Sequence, residues 1–259
     1  MPRFSANVST LFNEVPFLER FKAAADVGFS GVECQFPYDH ELSAVADAVA
    51  MADVKFALIN APAGDFAAGD RGFAALKGEE KRFKESVETA LRYAEFLECP
   101  LVHVLSGNAS SEDADAVDTY ISNLIWAADN AQDYGIRVVI EPIFMEGYFL
   151  DRPSKALAVL EHAPHENLGL QYDLYHAQRC EGGLSEFIEE NLNVIAHIQV
   201  AGVPERHEPD KYGEVNWRFI FDLLDSHGYD GWVGAEYTPR GDTRRGLGWA
   251  KDWGISGAS

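Results

Sequence analysis

The chain has 259 residues, 47% of them hydrophobic and 12% aromatic, enough for a sizeable core. No apolar run approaches the roughly 18 residues that a membrane span needs, so no membrane partner is expected. Lys and Arg number 21 against 42 Asp and Glu, a formal charge of −21, which repels a phosphate backbone and argues against nucleic acid as a partner.

Taken in chain order, short apolar or β-branched runs recur: Phe4 to Ser9, Gly31 to Gln35, Val54 to Ala61, Leu101 to Ser106, Arg137 to Ile143, Leu168 to His176, Ile195 to Gly202 and Trp232 to Pro239. Stretches with helical spacing lie between them, among them Phe17 to Val27, Glu79 to Phe96, Asp115 to Tyr134, Leu184 to Asn193 and Trp217 to His227. Gly28, Gly135 and Gly228 follow such stretches, where a left-handed terminal residue is easiest for glycine. Strand and helix alternating in this way predict a parallel sheet. With no Pro/Gly/Ser linker to divide it, the chain reads as one α/β domain over residues 1–259, a (β/α)8 TIM barrel, with an open doubly wound sheet as the alternative. The longest irregular piece, Pro62 to Gly78, carries Gly64, Gly69, Arg71 and Gly72; loops of that length commonly act as lids or binding loops. Cys34, Cys99 and Cys180 are odd in number and widely spaced, without the pairing of a zinc or redox site, and no secretory signal precedes the first strand. A cytoplasmic setting is expected, and a homo-oligomer is compatible with the sequence.

Barrel enzymes keep their chemistry at the C-terminal ends of the strands, and four consecutive runs end in oxygen donors. The fifth reads Val138-Val-Ile-Glu141, the sixth Leu170-Gln-Tyr-Asp173, the seventh Ile195-Ala-His-Ile-Gln199 and the eighth Val233-Gly-Ala-Glu236. Three carboxylates and an amide oxygen make a hard, all-oxygen set that suits Mg²⁺ or Mn²⁺ better than zinc. Without a cation, three carboxylates in one barrel mouth repel one another at a cost of several kcal/mol. Two residues back from each, strand alternation puts Val139, Gln171, His197 and Gly234 one level deeper. There Gln171 and His197 either orient the residues above them or are core groups with partners of their own.

The strings Ile140-Glu-Pro-Ile143, Leu170-Gln-Tyr-Asp-Leu-Tyr-His176, His197-Ile-Gln199, Arg206-His-Glu-Pro209, Gly228-Tyr-Asp-Gly-Trp-Val-Gly234, Glu236-Tyr237 and Gly246-Leu-Gly-Trp249 resemble those of hydroxypyruvate isomerases, within the wider group of barrels similar to xylose isomerase. Asn60-Ala-Pro-Ala-Gly-Asp65 with Ala68-Gly-Asp-Arg-Gly72 resembles the third loop of that family. The resemblance implies metal ligands at Glu141, Asp173, Gln199 and Glu236, proton transfer by the two glutamates, and substrate contacts from His176, from the Arg206 loop and from Asn60. It also implies conversion of hydroxypyruvate to tartronate semialdehyde through an enediolate. The loop Phe144 to Phe149 is shorter than usual in the family and Asp210 to Tyr212 slightly longer, so the reaction type is read more firmly than the substrate. A 2-oxo-tetronate isomerase, a ketose 3-epimerase of the tagatose or psicose type and a non-catalytic sugar-acid-binding barrel are the alternatives. A metal-dependent apurinic endonuclease would need more histidines and a basic face.

A site with three carboxylates and one divalent cation keeps a formal charge near −1, so an acidic substrate needs a fixed cation for its own carboxylate. Lysine is scarce in these loops, which leaves Arg71 and Arg206; a guanidinium suits two-point carboxylate binding. Arg71, on a glycine-flanked loop able to close, is the favoured partner.

Overall fold

Strand β6 shows why the apolar runs become parallel strands. All six of its residues are buried, because helices cover one face and the barrel interior the other. A computed structural model describes residues 1–257. The elements run β1 (Arg3–Asn7), α1 (Phe17–Asp26), β2 (Gly31–Cys34), α2 (Leu42–Ala52), β3 (Lys55–Asn60), α3 (Glu80–Phe96), β4 (Leu101–His103), α4 (Ala114–Gln132), β5 (Arg137–Ile140) and α5 (Pro153–His162). They continue with β6 (Leu168–Asp173), α6 (Leu174–Cys180), α7 (Leu184–Asn191), β7 (Ile195–Val200), α8 (Trp217–Ser226), β8 (Trp232–Ala235), α9 (Thr243–Gly246) and a final 3-10 helix, Leu247–Trp253. The strands pair in sequence order and β8 returns to β1, with Phe4 opposite Val233 and Ala6 opposite Ala235. This is the closed (β/α)8 barrel that the strand and helix alternation predicts, not the open sheet.

Side-chain direction divides the molecule into an outer and an inner core. Outward residues of the strands meet the helices: Tyr172 stacks on Phe187 of α7 at 4.4 Å, a contact of the kind that adds roughly 0.5–1.5 kcal/mol to simple burial. The β8–β1 seam is covered by an aromatic group in which Phe4 packs against Phe221 of α8 at 5.1 Å and Trp249 at 5.4 Å. Inside the barrel, Leu58, Leu101 and Val139 form a small apolar cluster of their own. Much of the remaining interior is polar: Ser5, Asn7, Glu33, Gln171, His197 and Gln199 from β1, β2, β6 and β7, and Asn60 and His103 from β3 and β4, are all buried.

Several strands stop earlier than their apolar runs. Beyond His103 the run to Ser106 pairs with the β3–α3 loop, Ala75 N donating to Ser106 O at 2.7 Å, and beyond Ala235 the chain turns so that Thr238 N reaches Arg206 O at 2.8 Å. The sixth run does not reach His176 as a strand. Asp173 accepts from Tyr175 N at 2.8 Å, an N-cap that starts α6 and makes His176 helical. The loop from Pro62 to Gly78 is irregular as expected, apart from a bridge between Gly72 and Ser106.

Candidate active site

The C-terminal mouth of the barrel holds a cavity of about 320 Å³ whose lining includes Glu141, Gln171, His176, Gln199, Arg206 and Glu236. A wider groove of about 1360 Å³, lined by Tyr212, Trp217 and Trp249 among others, lies on the β7–α8 side and contains none of the barrel carboxylates. The chemistry therefore belongs to the smaller space. Glu141 and Glu236 stand just past the ends of β5 and β8, and Asp173 is the last residue of β6; all three are buried. Arg206 joins two of them, its Nη2 lying 3.2 Å from Asp173 Oδ2 and 2.7 Å from Glu236 Oε2. Its backbone is left-handed, φ 60°, a conformation that costs a non-glycine residue about 1–3 kcal/mol. That conformation is held by Arg206 N on Gly202 O and Thr238 N on Arg206 O, both 2.8 Å. The loop geometry thus aims a guanidinium into the carboxylates.

Beneath the mouth lies a second polar layer that the sequence reading reached only in part. Glu33, fully buried, accepts at Oε1 from Asn7 Nδ2 at 3.3 Å and Gln199 Nε2 at 2.7 Å and at Oε2 from Ser5 Oγ at 2.7 Å, and His197 Nε2 lies 2.8 Å from that same Oε2. Gln171 Nε2 in turn donates to Gln199 Oε1 at 2.7 Å. Asn7 Nδ2 and Gln35 Nε2 both donate to Glu236 Oε1, at 3.1 and 2.8 Å. Glu33 fits because residue 234 is glycine: a Cβ there would come within 2.7 Å of Glu33 Cδ. Register shifts at Val32/Glu33 and at Leu170/Gln171 fall on this layer, and such bulges re-aim side chains. Asn7, Glu33 and Gln35 were missed from sequence. The signal for Glu33 was present, since an acid inside the apolar run Gly31-Val-Glu-Cys34 is costly unless it has partners.

Two histidines adjoin the carboxylates. His103, also missed, lies with Nδ1 3.3 Å from Asn60 Oδ1 and 3.4 Å from Glu141 Oε2; burial pushes it down to about 3, so it is neutral. Glu141, Asp173 and His176 each bring one potential ligand atom within 4.8 Å of the others. His176, however, accepts Phe144 N–H at Nδ1, 3.2 Å. Burial lowers it to about 4, and a neutral ring that accepts at Nδ1 carries its proton on Nε2. That nitrogen lies 3.6 Å from Asp173 Oδ2. Arg71 lines the same cavity, but at its rim: Nη1 donates to Phe66 O and Asp70 O at 2.9 and 2.7 Å, and the guanidinium lies 3.8 Å over the Phe66 ring.

Crowded acids and burial set the protonation of the site. Burial, followed by the charges of Glu236 and Asp173, raises Glu141 well above the ordinary carboxylate range. Burial lifts Glu236 to about 7 against the pull of Arg206. For Glu33 burial is outweighed by the charge of His197 and the hydrogen bonds around it, which hold it below its usual value. Two proton carriers poised above a fixed anion can move a proton about a substrate held between them.

A family model described as xylose isomerase-like TIM barrel matches residues 21–253. The chain belongs to that family. Among members of the xylose isomerase-like TIM barrel family, it is 46% identical to 2-oxo-tetronate isomerase from Cupriavidus necator over 98% of this chain and 99% of the relative. It is 40% identical to hydroxypyruvate isomerase from Escherichia coli over 96% and 98%. Relatives this similar over their full lengths make the chain an isomerase. The crystal structure of AP endonuclease, family 2, from Brucella melitensis superposes with a TM-score of 0.94 at 44% identity, covering 98% of this chain and 99% of that one. L-ribulose 3-epimerase, at 20% identity and a TM-score of 0.77, shares the fold.

Proposed function

We propose that this isomerase works with a divalent cation on short 2-oxo acids bearing a hydroxyl on carbon 3, interconverting them with their 2-hydroxy-3-oxo isomers. Hydroxypyruvate, giving tartronate semialdehyde, is the three-carbon member of that class and 2-oxo-tetronate the four-carbon one. We put the four-carbon acid first, because relatives named 2-oxo-tetronate isomerase are 42–46% identical to this chain and the Escherichia coli hydroxypyruvate isomerase is 40% identical. The observation that carries the reading is the pair Glu141 and Glu236, buried in one cavity and both shifted toward their neutral forms.

Mg²⁺ or Mn²⁺ would be held by Glu141, Asp173, Gln199 and Glu236. The residues fit: the donors are oxygens, the carboxylates raise one another's proton affinity, and Arg206 is the cation that meets Asp173 and Glu236. When bound, a divalent cation supplies Lewis-acid polarisation of the substrate carbonyl and steadies the negative charge that grows on its oxygens. The protein's part is proton movement. One of Glu141 and Glu236, ionised, takes the proton from carbon 3, and the electrons of that C–H bond become the double bond of an enediolate. The other, protonated, delivers a proton to carbon 2, while the proton of the carbon-3 hydroxyl ends on the carbon-2 oxygen. Carbon 2 is reduced and carbon 3 oxidised, so no outside oxidant is needed. His176 donates from Nε2 to a substrate oxygen, Asn60 contributes a polar contact beside His103, and Arg71 at the rim receives the substrate carboxylate.

The formal charge of −21 opposes a reading as a DNA-cleaving enzyme on the pattern of the Brucella structure's name. The test is product identification by NMR, using protein stripped with chelator and reloaded with Mn²⁺, across 2-oxo-tetronate, hydroxypyruvate and neutral ketoses. Reaction of the 2-oxo acids in D₂O should place deuterium on carbon 2. Better turnover of tagatose or psicose would move the function to 3-epimerisation, and full turnover by protein shown metal-free by elemental analysis would sink the metal.

A further inference from the structure

The carboxamide of Gln199 has two ends, and only its oxygen can serve a cation. Which end faces the cavity is a question of partners below it. Four groups converge on the buried carboxylate of Glu33: the Ser5 hydroxyl, the Asn7 and Gln199 amides and the His197 ring. A carboxylate ion can only accept, so each of the four presents a donor to it, two on each oxygen. An acceptor 2.7 Å from one end of the Gln199 amide requires that end to be Nε2. The opposite end, Oε1, then accepts from Gln171 Nε2 at 2.7 Å and keeps a second lone pair. Gln199 and Gln171 both line the cavity, whereas Glu33 does not reach it.

We infer that Glu33 is a positioning residue: its buried carboxylate fixes the Gln199 amide with the oxygen available to a divalent cation. This rests on the metal reading of the site given above. Glu33 also steadies Glu236 through Asn7, whose Nδ2 lies 3.3 Å from Glu33 and 3.1 Å from Glu236. The glycine at 234, where a Cβ would strike the Glu33 carboxylate, and the register shift at Val32/Glu33 are the local features that let an acid stand at this depth. Groups that orient metal ligands typically change affinity or activity by about 10–100-fold when replaced.

The test exchanges the polarity of the hydrogen bond. Mn²⁺ is titrated calorimetrically into chelator-stripped wild type, Glu33→Gln, Gln199→Glu and the double variant Glu33→Gln/Gln199→Glu, with near-UV circular dichroism as the check on folding. Glu33→Gln can present either end of its own amide and should weaken Mn²⁺ binding by roughly 10–100-fold. Gln199→Glu sets two carboxylates against each other and should bind poorly. In the double variant residue 33 donates to a carboxylate at 199, which returns an oxygen to the cavity, and Mn²⁺ affinity should recover to within about tenfold of wild type. An unchanged Kd in Glu33→Gln overturns the inference, as does a double variant that binds no better than Glu33→Gln. If Glu33→Gln does not fold, the double variant decides alone by the same tenfold criterion. Wild type that fails to bind Mn²⁺ overturns the metal reading itself, and this inference with it; wild type that binds, with Glu33→Gln equal to it, fails the inference alone.

Discussion

Replacing Glu141 or Glu236 by Gln keeps an oxygen donor of nearly the same shape and removes the proton acceptor, so each variant should retain Mn²⁺ and lose kcat by on the order of 10²-fold or more. Steady-state kinetics beside Mn²⁺ titration separates the two effects: a variant with bound metal and wild-type turnover would make that glutamate a ligand only. Arg71→Ala removes the rim guanidinium and should raise KM for a 2-oxo acid roughly tenfold, the value of one charge-assisted hydrogen bond, with little change for a neutral ketose. An unchanged KM for the acid would leave Arg71 stacked on Phe66 with no part in binding. Residues whose type alone is costly inside a barrel were legible: Glu141, Asp173 and Glu236 end their strands and do lie at one mouth. The undecided pair, Gln171 and His197, has partners of its own and reaches Gln199 directly or through Glu33. His103 and Gln35 were not legible, because each gains its meaning from a neighbour on another strand, Glu141 for one and Glu236 for the other.

At the level of elements, the strands do more than carry side chains to a rim. The register shifts in β2 and β6 let Glu33 lie opposite Leu58 and Gln171 opposite His197, which gathers the polar inner layer on one side of the barrel and leaves Leu58, Leu101 and Val139 on the other. Gly234 is the matching adjustment in β8. Gly234→Ala should force the Glu33 carboxylate to move and lower stability by about 1–3 kcal/mol, the usual cost of overfilling a packed interior; a melting temperature equal to wild type would mean that Glu33 has room to spare. Strand existence and order were legible from apolar runs and intervening helical spacing. Strand ends were not, because an apolar run continues past the last ladder bond: Leu105 and Ser106 bond to the β3–α3 loop, and Asp173 turns the sixth run into a helix through its cap. Polarity alone does not distinguish pairing with a strand from pairing with a loop.

For the molecule as a whole, protonation of the site is coupled to folding. Glu236 binds its proton more tightly in the folded protein, at about 7 against an ordinary 4.5. Between those values the native state therefore holds more protons than the unfolded one, and stability falls as pH rises. In chelator, wild type should lose stability relative to Glu236→Gln as pH climbs from about 4.5 to 7, by a few kcal/mol at most at about 1.4 kcal/mol per unit. Saturating Mn²⁺ should remove that loss. Thermal melts across the range check both, and a flat difference between the two proteins would place Glu236 in the ordinary carboxylate range.

Asn7, at the end of β1, and Gln35, just past β2, reach Glu236 across 229 and 201 residues of sequence, and Arg206 and Thr238 tie the last two strand loops together. On a ribosome the chain emerges from its N-terminus, so Asn7 and Gln35 are made long before Glu236. Glu236 arrives with the strand whose pairing to β1 closes the ring. The hydrogen bonds that Asn7 and Gln35 give to Glu236 therefore form only when the barrel closes.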